Sequence, residues 1–356
     1  MTTIEICTAD TDAEREAVYR FRYAVYVEEM GRYRATADHV GRRLVDPEDA
    51  RSDNIYATDG TEVIASFRMT WGGDGFSTRQ IEQYQLAPFL ADIPAEHVVV
   101  GERTMISPSW RGSDVFARMG EGSQAYNETH DVRVVFGACE PHLLSFYGHD
   151  QRPYGTRNIN SAESGYLIPL VCFPGGPEAI AKVVPGGRVP AIVSEALTGT
   201  GTVTSPIYLG PDRYLAEASR SLAATAAPLI DGLTDDEVAR CLDRSHIVAF
   251  RSGDVVVKEG GSARNVFVVL DGELSVTRDG DVVGALQPGD VLGEMAYLLE
   301  GRRGADVTAT TDGRILSLSE RTLRSQLEDR PVLAAKLHRN IARQLSARLL
   351  LAGGRQ

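Results

Sequence analysis

The stretch that decides the fold of the C-terminal half is GEMAYLLEGRRGADV, residues 293–307. Gly293 opens a short helical pattern, and backbone N–H groups at such a turn can hold an anion. Arg303 lies ten residues later and can return to pair with a phosphate as a fork. A carboxylate at Glu294 is unusual beside a phosphate unless it accepts a hydrogen bond from a sugar hydroxyl. Together these residues predict a site for a phosphorylated ribose.

Short strand patterns surround this stretch at regular spacing, and Gly-containing turns such as Asp271-Gly272 and Gly289-Asp290 separate them. The pattern predicts an all-β roll. Its strands are expected at residues 246–250, 255–259, 266–270, 273–278, 282–286, 305–310 and 314–319. Apolar residues at four-residue steps then predict a terminal helix: Leu337, Ile341, Leu345 and Leu349.

Residues 293–307 closely resemble the phosphate-binding cassette of the cyclic nucleotide-binding domain family, Gly-Glu-x-Ala followed by Arg-x-Ala. The resemblance covers about residues 229–351 and implies a jelly-roll-like β-roll with a lid helix at 331–351. It implies that Glu294 takes the ribose 2′-hydroxyl and that Arg303 and Ala305 hold the cyclic phosphate. It also implies that backbone donors come from Gly293, Met295 and Ala296.

One cassette position bears on the base of the nucleotide. Gly304 stands where members of the family that prefer cyclic GMP often carry threonine, so cyclic AMP is the expected effector. The alternative is a roll that has kept its shape and lost its ligand. The lid helix could equally pack on the roll or form the seam of a homodimer.

The N-terminal half alternates helix and strand patterns, which indicates an α+β plan. Helices are predicted at residues 13–26, 114–129 and 141–147. Strands are predicted at residues 55–58, 63–69, 98–106, 132–139 and 165–173. We therefore expect a mixed sheet with flanking helices over 1–175, a surface connector with some helix over 176–228 that ends in a helix at 212–226, and the roll over 229–356.

The strand at 98–106 runs into Ser107-Pro108-Ser109-Trp110-Arg111 and then a helix, which resembles the GNAT superfamily of N-acyltransferases. The resemblance implies that Tyr147 protonates the departing thiolate. It implies that the acyl donor is bound by Met105, Ile106, Arg111, Gly112 and Ser113. Asp114 and Phe116 occupy the two small positions of the loop that holds the pyrophosphate of coenzyme A, and both suit close wrapping poorly. An acyl carrier protein is therefore the expected thioester donor, with coenzyme A as the alternative.

Residues 5–173 further resemble acyl-homoserine-lactone synthases and related N-acyl amino acid synthases. The matching positions are Arg22, Asp46, Asp49, Arg68 and Glu102. The resemblance implies that the first four shape the acceptor pocket, although they could instead form a salt-bridge network. A buried carboxylate needs a partner or a function, so we expect Glu102 to take the amine proton, directly or through water. Backbone N–H groups near Met105 would polarise the thioester carbonyl.

The composition excludes several classes of protein. The 356 residues are 43% hydrophobic and carry a formal net charge of −12, which argues against a nucleic-acid coat. No apolar run approaches the roughly 20 residues of a membrane span, and no leader pattern opens the chain, so a cytoplasmic location is expected. The four cysteines lie far apart, which predicts reduced, buried thiols and no metal.

The sequence thus predicts a cyclic-nucleotide-regulated N-acyltransferase with an acyl thioester as co-substrate. Two alternatives stay open. One is a cyclic-AMP-gated protein lysine acetyltransferase that uses acetyl-coenzyme A. The other is a non-catalytic cyclic-nucleotide sensor or assembly protein. A DNA-binding regulator is disfavoured because no helix-turn-helix follows the lid helix.

Overall fold

The computed structural model describes residues 3–147, 150–161, 163, 165–261 and 265–353. The chain divides into two compact units that alternate along the sequence. The first unit comprises Met1–Ala138, Asp150–Gly155 and Pro169–Gly199, and the second comprises Cys139–His149, Thr156–Ile168 and Thr200–Gln356. Each unit is assembled from several separate segments of the chain. The domain boundaries expected at residues 175 and 229 stay a prediction.

The N-terminal half forms eight strands and seven helices among the residues described. The strands are β1 (Glu5–Thr8), β2 (Asp53–Thr58), β3 (Val63–Trp71), β4 (Val98–Ile106), β5 (Val134–Cys139), β6 (Arg152–Pro153), β7 (Ile159–Ser161) and β8 (Gly165–Cys172). The helices are α1 (Asp12–Arg22), α2 (Thr78–Gln83), α3 (Ala87–Leu90), α4 (Val115–Thr129), α5 (Leu144–Tyr147), α6 (Gly176–Val183) and α7 (Ala191–Thr198).

The sheet of this half follows the order β1-β2-β3-β4-β5-β8-β6, and β7 pairs with β8. Strands β1 to β4 pair antiparallel, whereas β4 and β5 pair parallel. Helix α1 begins at a capping box of Thr11 and Glu14, and it continues as a π-helical turn over Tyr23–Glu29. The predicted mixed sheet with flanking helices is therefore present, and the predicted helix at 13–26 ends in a different helical geometry.

The predicted surface connector is in part wrong. Residues 176–198 form α6 and α7, and Ile180 and Val193 are fully buried. Val203 pairs with Val248 in a strand and is also buried. The glycines and prolines of this segment lie mostly in the turns and at the ends of these short helices and strands. The few apolar residues of the helices and strands pack into the core.

The C-terminal half forms nine further strands and six helices within the part that the structure describes. The strands are β9 (Val203–Thr204), β10 (His246–Phe250), β11 (Val255–Val257), β12 (Val266–Asp271), β13 (Leu274–Arg278), β14 (Asp281–Leu286), β15 (Val291–Leu292), β16 (Asp306–Ala309) and β17 (Gly313–Leu318). The helices are α8 (Pro206–Leu209), α9 (Pro211–Thr225), α10 (Asp235–Leu242), α11 (Glu294–Leu298), α12 (Glu320–Glu328) and α13 (Pro331–Gly353).

These strands form two antiparallel sheets, ordered β15-β12-β17-β10-β9 and β11-β16-β13-β14. The predicted roll is confirmed as a β-sandwich of this kind. Helices α9, α10, α12 and α13 cover the five-stranded sheet through one apolar core, which includes Leu222, Leu242, Val268, Leu316 and Leu337. The four cysteines are unpaired. Cys139 and Cys241 are buried, but Cys7 and Cys172 are only half-buried.

Candidate functional site

Strand β4 leaves its parallel neighbour halfway along its length. It pairs with β5 only where Val98–Val100 meet Val134–Phe136, although β4 continues to Ile106. Gly101 and Gly137 follow the last pair on the two strands. From Gly101 onward, the edge of β4 that faces away from β3 has no described strand partner.

The backbone of β4 also carries a bulge at this point. Met105 pairs with Ser66 and Glu102 with Arg68, so three steps along β4 oppose two along β3. The extra residue is accommodated by Arg103, whose φ is 59°. A bulge of this kind re-aims side chains and is common beside functional sites.

The two predicted backbone donors of β4 point to opposite edges. Ser107 donates its N–H to the carbonyl of Ile64 at 2.8 Å. Because amide directions alternate along a strand, the N–H of Met105 also points toward β3 and that of Ile106 points away from it. Of this pair, Ile106 is therefore the residue whose amide faces the edge that β5 has left.

Five of the residues expected in the first site meet in one buried ionic network. Arg22 Nη1 bonds both carboxylate oxygens of Asp49 at 2.8 Å. Arg68 donates from Nη1 to Asp46 at 2.8 Å and to Asp49 at 3.3 Å, and from Nη2 to Glu102 at 2.8 Å. Arg22 is 0% exposed and Arg68 is 1% exposed. The structure therefore brings all five together, and their role as an acceptor pocket stays a prediction.

Glu102 is the most heavily bonded carboxylate of this network. Its oxygens accept from Arg68, from Arg79 at 2.9 and 3.1 Å, from Gln80 at 3.0 Å and from Tyr84 at 3.3 Å. Burial alone would raise the pKa of Glu102, but the guanidinium groups of Arg68 and Arg79 hold it below its usual value. A carboxylate that is this stable as an anion is poorly suited to accept a proton directly.

Arg103 is a member of the network that the sequence did not reveal. It donates hydrogen bonds to the carboxylate of Asp46 from Nε at 2.6 Å and from Nη2 at 2.8 Å. Its guanidinium lies 4.2 Å from the ring centre of Tyr33. Neighbours in a regular strand point to opposite faces, so a sequence reading places Arg103 away from Glu102. Only the bulge brings both side chains into the same network. Arg79, on α2, carried no sequence signal either.

Side chains of the loop that was predicted to bind the acyl donor already have partners in the protein. Arg111 forms a double ion pair with Glu29, at 2.6 and 2.8 Å, and its Nε donates to the carbonyl of Ile106. Ser113 Oγ accepts from the N–H of Val115 at 3.3 Å. Gly112 has a φ of 85°, and a Cβ there would meet no atom within 4 Å. The loop therefore has free space beside Gly112, and the positive charge of Arg111 is neutralised by the carboxylate of Glu29.

Tyr147, the predicted proton donor, ends α5 and is half-buried. Its segment, Cys139–His149, belongs to the second unit, whereas Glu102 belongs to the first. Within the second unit, Ser145 Oγ lies 3.4 Å from Nε2 of His246. Burial lowers the pKa of His246 to about 4, so this imidazole is neutral near pH 7.

The cassette residues of the second unit form a tight backbone cradle. Gly293 has a φ of 83°, and a Cβ there would lie 2.1 Å from Nη1 of Arg303 and 2.5 Å from the carbonyl oxygen of Asn265. Arg303 is 6% exposed and donates to the carbonyls of Gly293 at 3.0 Å and Asn265 at 2.7 Å. Burial lowers the pKa of Arg303 to about 10, and the group is still a cation at neutral pH. The described hydrogen bonds of this buried cation go to carbonyl oxygens, and none goes to a carboxylate, so it is suited to receive an anion.

The other cassette positions differ in their exposure and contacts. Glu294 and Ala296 are buried, whereas Met295 is 47% exposed. Gly304 accepts a bond from Nε of Arg278 at 2.9 Å. Ala305 is half-buried and directly precedes β16. The two cassette segments, 293–296 and 303–305, meet where Arg303 donates to the carbonyl of Gly293, and their role in holding a nucleotide stays a prediction.

Two family models match this chain. The cyclic nucleotide-binding domain matches residues 247–330, and the acetyltransferase (GNAT) domain matches residues 21–121. Each match covers less than half of the chain, so residues 21–121 are similar to a GNAT acetyltransferase domain and residues 247–330 to a cyclic nucleotide-binding domain. The specific likeness to N-acyl amino acid synthases is not tested by them.

Individual relatives are similar over parts of the chain only. The cGMP-dependent protein kinase egl-4 of Caenorhabditis elegans is 35% identical over 80 residues, which are 22% of this chain and 10% of the kinase. The CRP-like cAMP-activated global transcriptional regulator of Mycobacterium tuberculosis is 27% identical over 124 residues, 33% of this chain and 55% of the regulator. This chain therefore spans a tenth of the first relative and about half of the second.

Among solved structures, the catabolite activator protein of Thermus thermophilus is 28% identical, with a TM-score of 0.31. That match covers 35% of this chain and 61% of the other. In the part of the chain that the structure describes, no helix combines the length and apolarity that crossing a membrane requires.

Proposed function

We propose that the protein is an N-acyltransferase that moves an acyl group from a thioester to an amine, under the control of a cyclic nucleotide bound in the second unit. The observation that carries this proposal is the presence of both domain matches in one chain. In the reaction, the amine nitrogen bonds to the carbonyl carbon, the carbon–sulfur bond breaks, the amine loses a proton and the thiolate gains one.

The edge of β4 that β5 leaves supports the placement of the acyl donor. A thioester lying along this edge would find the amide of Ile106, which can polarise the carbonyl oxygen. The ionic network of Arg22, Asp46, Asp49 and Arg68 would form the wall of the acceptor pocket. Glu102 would orient Arg68 and Arg79 and would accept the proton of the amine through a water. Tyr147 is the proposed donor of the proton to sulfur.

The donor loop supports acyl carrier protein over coenzyme A. Arg111 is neutralised by Glu29, and the start of α4 carries the carboxylate of Asp114, which pairs with Arg118 at 2.9 Å. A pyrophosphate would need cationic or neutral groups at this position. A phosphopantetheine arm on a carrier protein brings no pyrophosphate and would not meet this carboxylate.

The cassette geometry supports a cyclic nucleotide as the effector. Arg303 offers a buried positive charge, and Glu294 offers a buried carboxylate one residue after Gly293. The preference for cyclic AMP rests on Gly304, which offers no hydroxyl to a guanine.

The test is a thiol-release assay with the full chain, an amine acceptor, and either a long-chain acyl carrier protein or acetyl-coenzyme A, with and without cyclic AMP. We expect release from the carrier protein and a change in rate with the nucleotide. Tyr147→Phe should slow release by about a hundredfold, since general acid catalysis contributes at least that much. Tyr208→Phe, on α8, is the matched control. Release from acetyl-coenzyme A with a lysine peptide instead would identify a protein lysine acetyltransferase.

A non-catalytic sensor is the second candidate, and one observation favours it. Glu102 is bonded by four side chains and has a lowered pKa, as in a purely structural network. If the purified protein binds cyclic AMP but releases no thiol from either donor, the sensor is the correct function. If the original chain shows release and both Glu102→Gln and Tyr147→Phe slow it by about a hundredfold, the sensor is excluded.

A further inference from the structure

Helix α13 carries three polar side chains at four-residue spacing, Asn340, Gln344 and Arg348. Residues four apart share one face of a helix. Asn340 Nδ2 donates to the carbonyl of Leu229 at 2.9 Å, and Gln344 Nε2 donates to that of Gly289 at 3.4 Å. The polar face of the helix therefore leads toward the turn that precedes the cassette.

The third of these side chains, Arg348, contacts the cassette itself. Its Nη1 donates to Oε1 of Glu294 at 3.1 Å. Its Nη2 donates to the carbonyl of Val291 at 2.5 Å and to Oδ1 of Asp290 at 3.3 Å. Among the described contacts, Arg348 is the only side chain that bonds to the Glu294 carboxylate, and Oε2 of that carboxylate carries no bond from another side chain.

The bonds of Arg348 lie near the end of α13, where the apolar side chains are no longer buried in the core. Leu337 and Ile341 are buried in the core of the second unit. Leu349 and Leu350, by contrast, are 72% and 79% exposed. Leu345 packs partly buried against the core, and beyond it the described contacts that hold the helix are the polar ones of Arg348.

We propose that Arg348 is a positioning residue of the nucleotide site: it keeps the buried Glu294 carboxylate ionised and leaves Oε2 to accept a ribose hydroxyl. Binding of the nucleotide and docking of the end of α13 then stabilise each other, because both act on one carboxylate. This inference rests on the proposed binding of a cyclic nucleotide by the second unit.

The charges around Glu294 set the expected pH dependence. The charged groups that face it are Arg348 on α13, Arg303 before β16 and Asp290 before β15. Burial raises the pKa of Glu294, and Arg348 and then Arg303 lower it in part. Removal of Arg348 should raise this pKa further. The ionised acceptor would then be lost, as pH falls, at a higher pH than in the original chain.

The experiment is titration calorimetry of the full chain with cyclic AMP and with its 2′-deoxy analogue, from about pH 5 to about pH 8, the range of raised carboxyl pKa values. Arg348→Gln should weaken cyclic AMP binding about tenfold, the loss expected for one charge-assisted hydrogen bond. As pH decreases, the affinity of the variant for cyclic AMP should begin to fall at a higher pH than that of the original chain. The original chain should distinguish the two nucleotides, and the variant should distinguish them less.

Arg343→Gln is the matched control, since Arg343 lies on the same helix and makes only a 3.7 Å contact with Asp231. Hydrogen exchange of the amides around residues 344–350 should slow on nucleotide binding in the original chain and not in Arg348→Gln. If the original chain binds no cyclic nucleotide, the proposed effector is wrong. If it binds and Arg348→Gln matches it in affinity, pH profile and exchange, the inference alone is overturned.

Discussion

Arg103 itself adopts the positive φ of the β4 bulge, and this backbone conformation directs its side chain toward Asp46. Its guanidinium is nearly buried and makes both of its short contacts with Asp46. Replacement by methionine keeps the volume but leaves a partly buried carboxylate with Arg68 as its remaining described partner. We expect Arg103→Met to lower the free energy of opening around β4 by about 3 kcal/mol, as for other broken buried ion pairs. Native-state hydrogen exchange of the β4 amides measures this change.

The control for this prediction is Arg111→Met in the same strand–loop–helix region. Arg111 and Glu29 form an exposed pair, with side chains 42% and 33% exposed, so the loss should be about 1 kcal/mol or less. Equal losses in the two variants would mean that the buried network contributes no more to stability than a surface ion pair.

Gly293 is required for two separable reasons, its positive φ and the close approach of Arg303. We expect Gly293→Ala to abolish measurable cyclic nucleotide binding in calorimetry, because the new Cβ would displace the guanidinium. Gly280→Ala separates the two reasons, since Gly280 has a φ of 89° with no atom near its Cβ position. Binding that survives in Gly293→Ala would show that Arg303 does not hold the phosphate.

Among the elements, β10 begins at a buried histidine that gives the second unit a pH dependence. The pKa of His246 is about 4 in the folded chain, against an ordinary value of about 6.5. Between these values the unfolded chain binds more protons, so stability should fall as pH decreases from about 6.5 to about 4. The shift corresponds to a loss of about 3 kcal/mol.

The measurement is urea unfolding of the original chain and of His246→Gln across this pH range. The variant should lack most of this pH dependence. His338→Gln, an exposed histidine of α13, is the control and should retain it. A slope that is the same in His246→Gln and in the original chain would contradict the assignment.

The elements that sequence patterns predicted well are those with strong local signals. Strand β4 has the predicted bounds. The strands expected at 55–58 and 63–69 and the seven strands of the roll lie within a few residues of the expected positions. Short strands such as β9 and β15, two residues each, were missed because two residues carry no periodicity. The burial of Ile180 and Val193 within residues 176–198 was not predicted, because burial of isolated apolar residues depends on tertiary packing.

The candidate sites follow the same rule. The cassette was predictable because its residues are consecutive and its glycine is a backbone requirement. The partners Arg79, Arg103 and Arg348 were not, because a bulge and contacts distant in the chain bring them to their carboxylates. Arg348 lies more than fifty residues from Glu294 along the chain.

At the scale of the whole molecule, two segments from the N-terminal half complete the second unit. Asn158 Nδ2 donates to the carbonyl of Ala249 at 2.8 Å, and Asn160 bonds both Asp254 and the N–H of Val255. We therefore expect a fragment of residues 229–356 to be less stable than the same region in the full chain. Thermal unfolding followed by circular dichroism measures this, and a fragment that melts at the temperature of the full chain would contradict it.

Asn160→Ala tests the same point without truncation. It should destabilise the second unit measurably, since Asn160 accepts from a backbone amide of β11 and donates to a carboxylate. Asn127→Ala, on α4 in the first unit, is the comparison. Equal protection from exchange in β11 of both variants would show that the inserted segment contributes nothing.

The alternation of the two units has a consequence for inheritance. The chain passes from one unit to the other after Ala138, His149, Gly155, Ile168 and Gly199, which is five times. A single recombination event in the gene joins one upstream piece to one downstream piece, so none can separate the two units without mixing the segments of at least one of them. After such an event, at least one unit would have to pack segments inherited from two different parents.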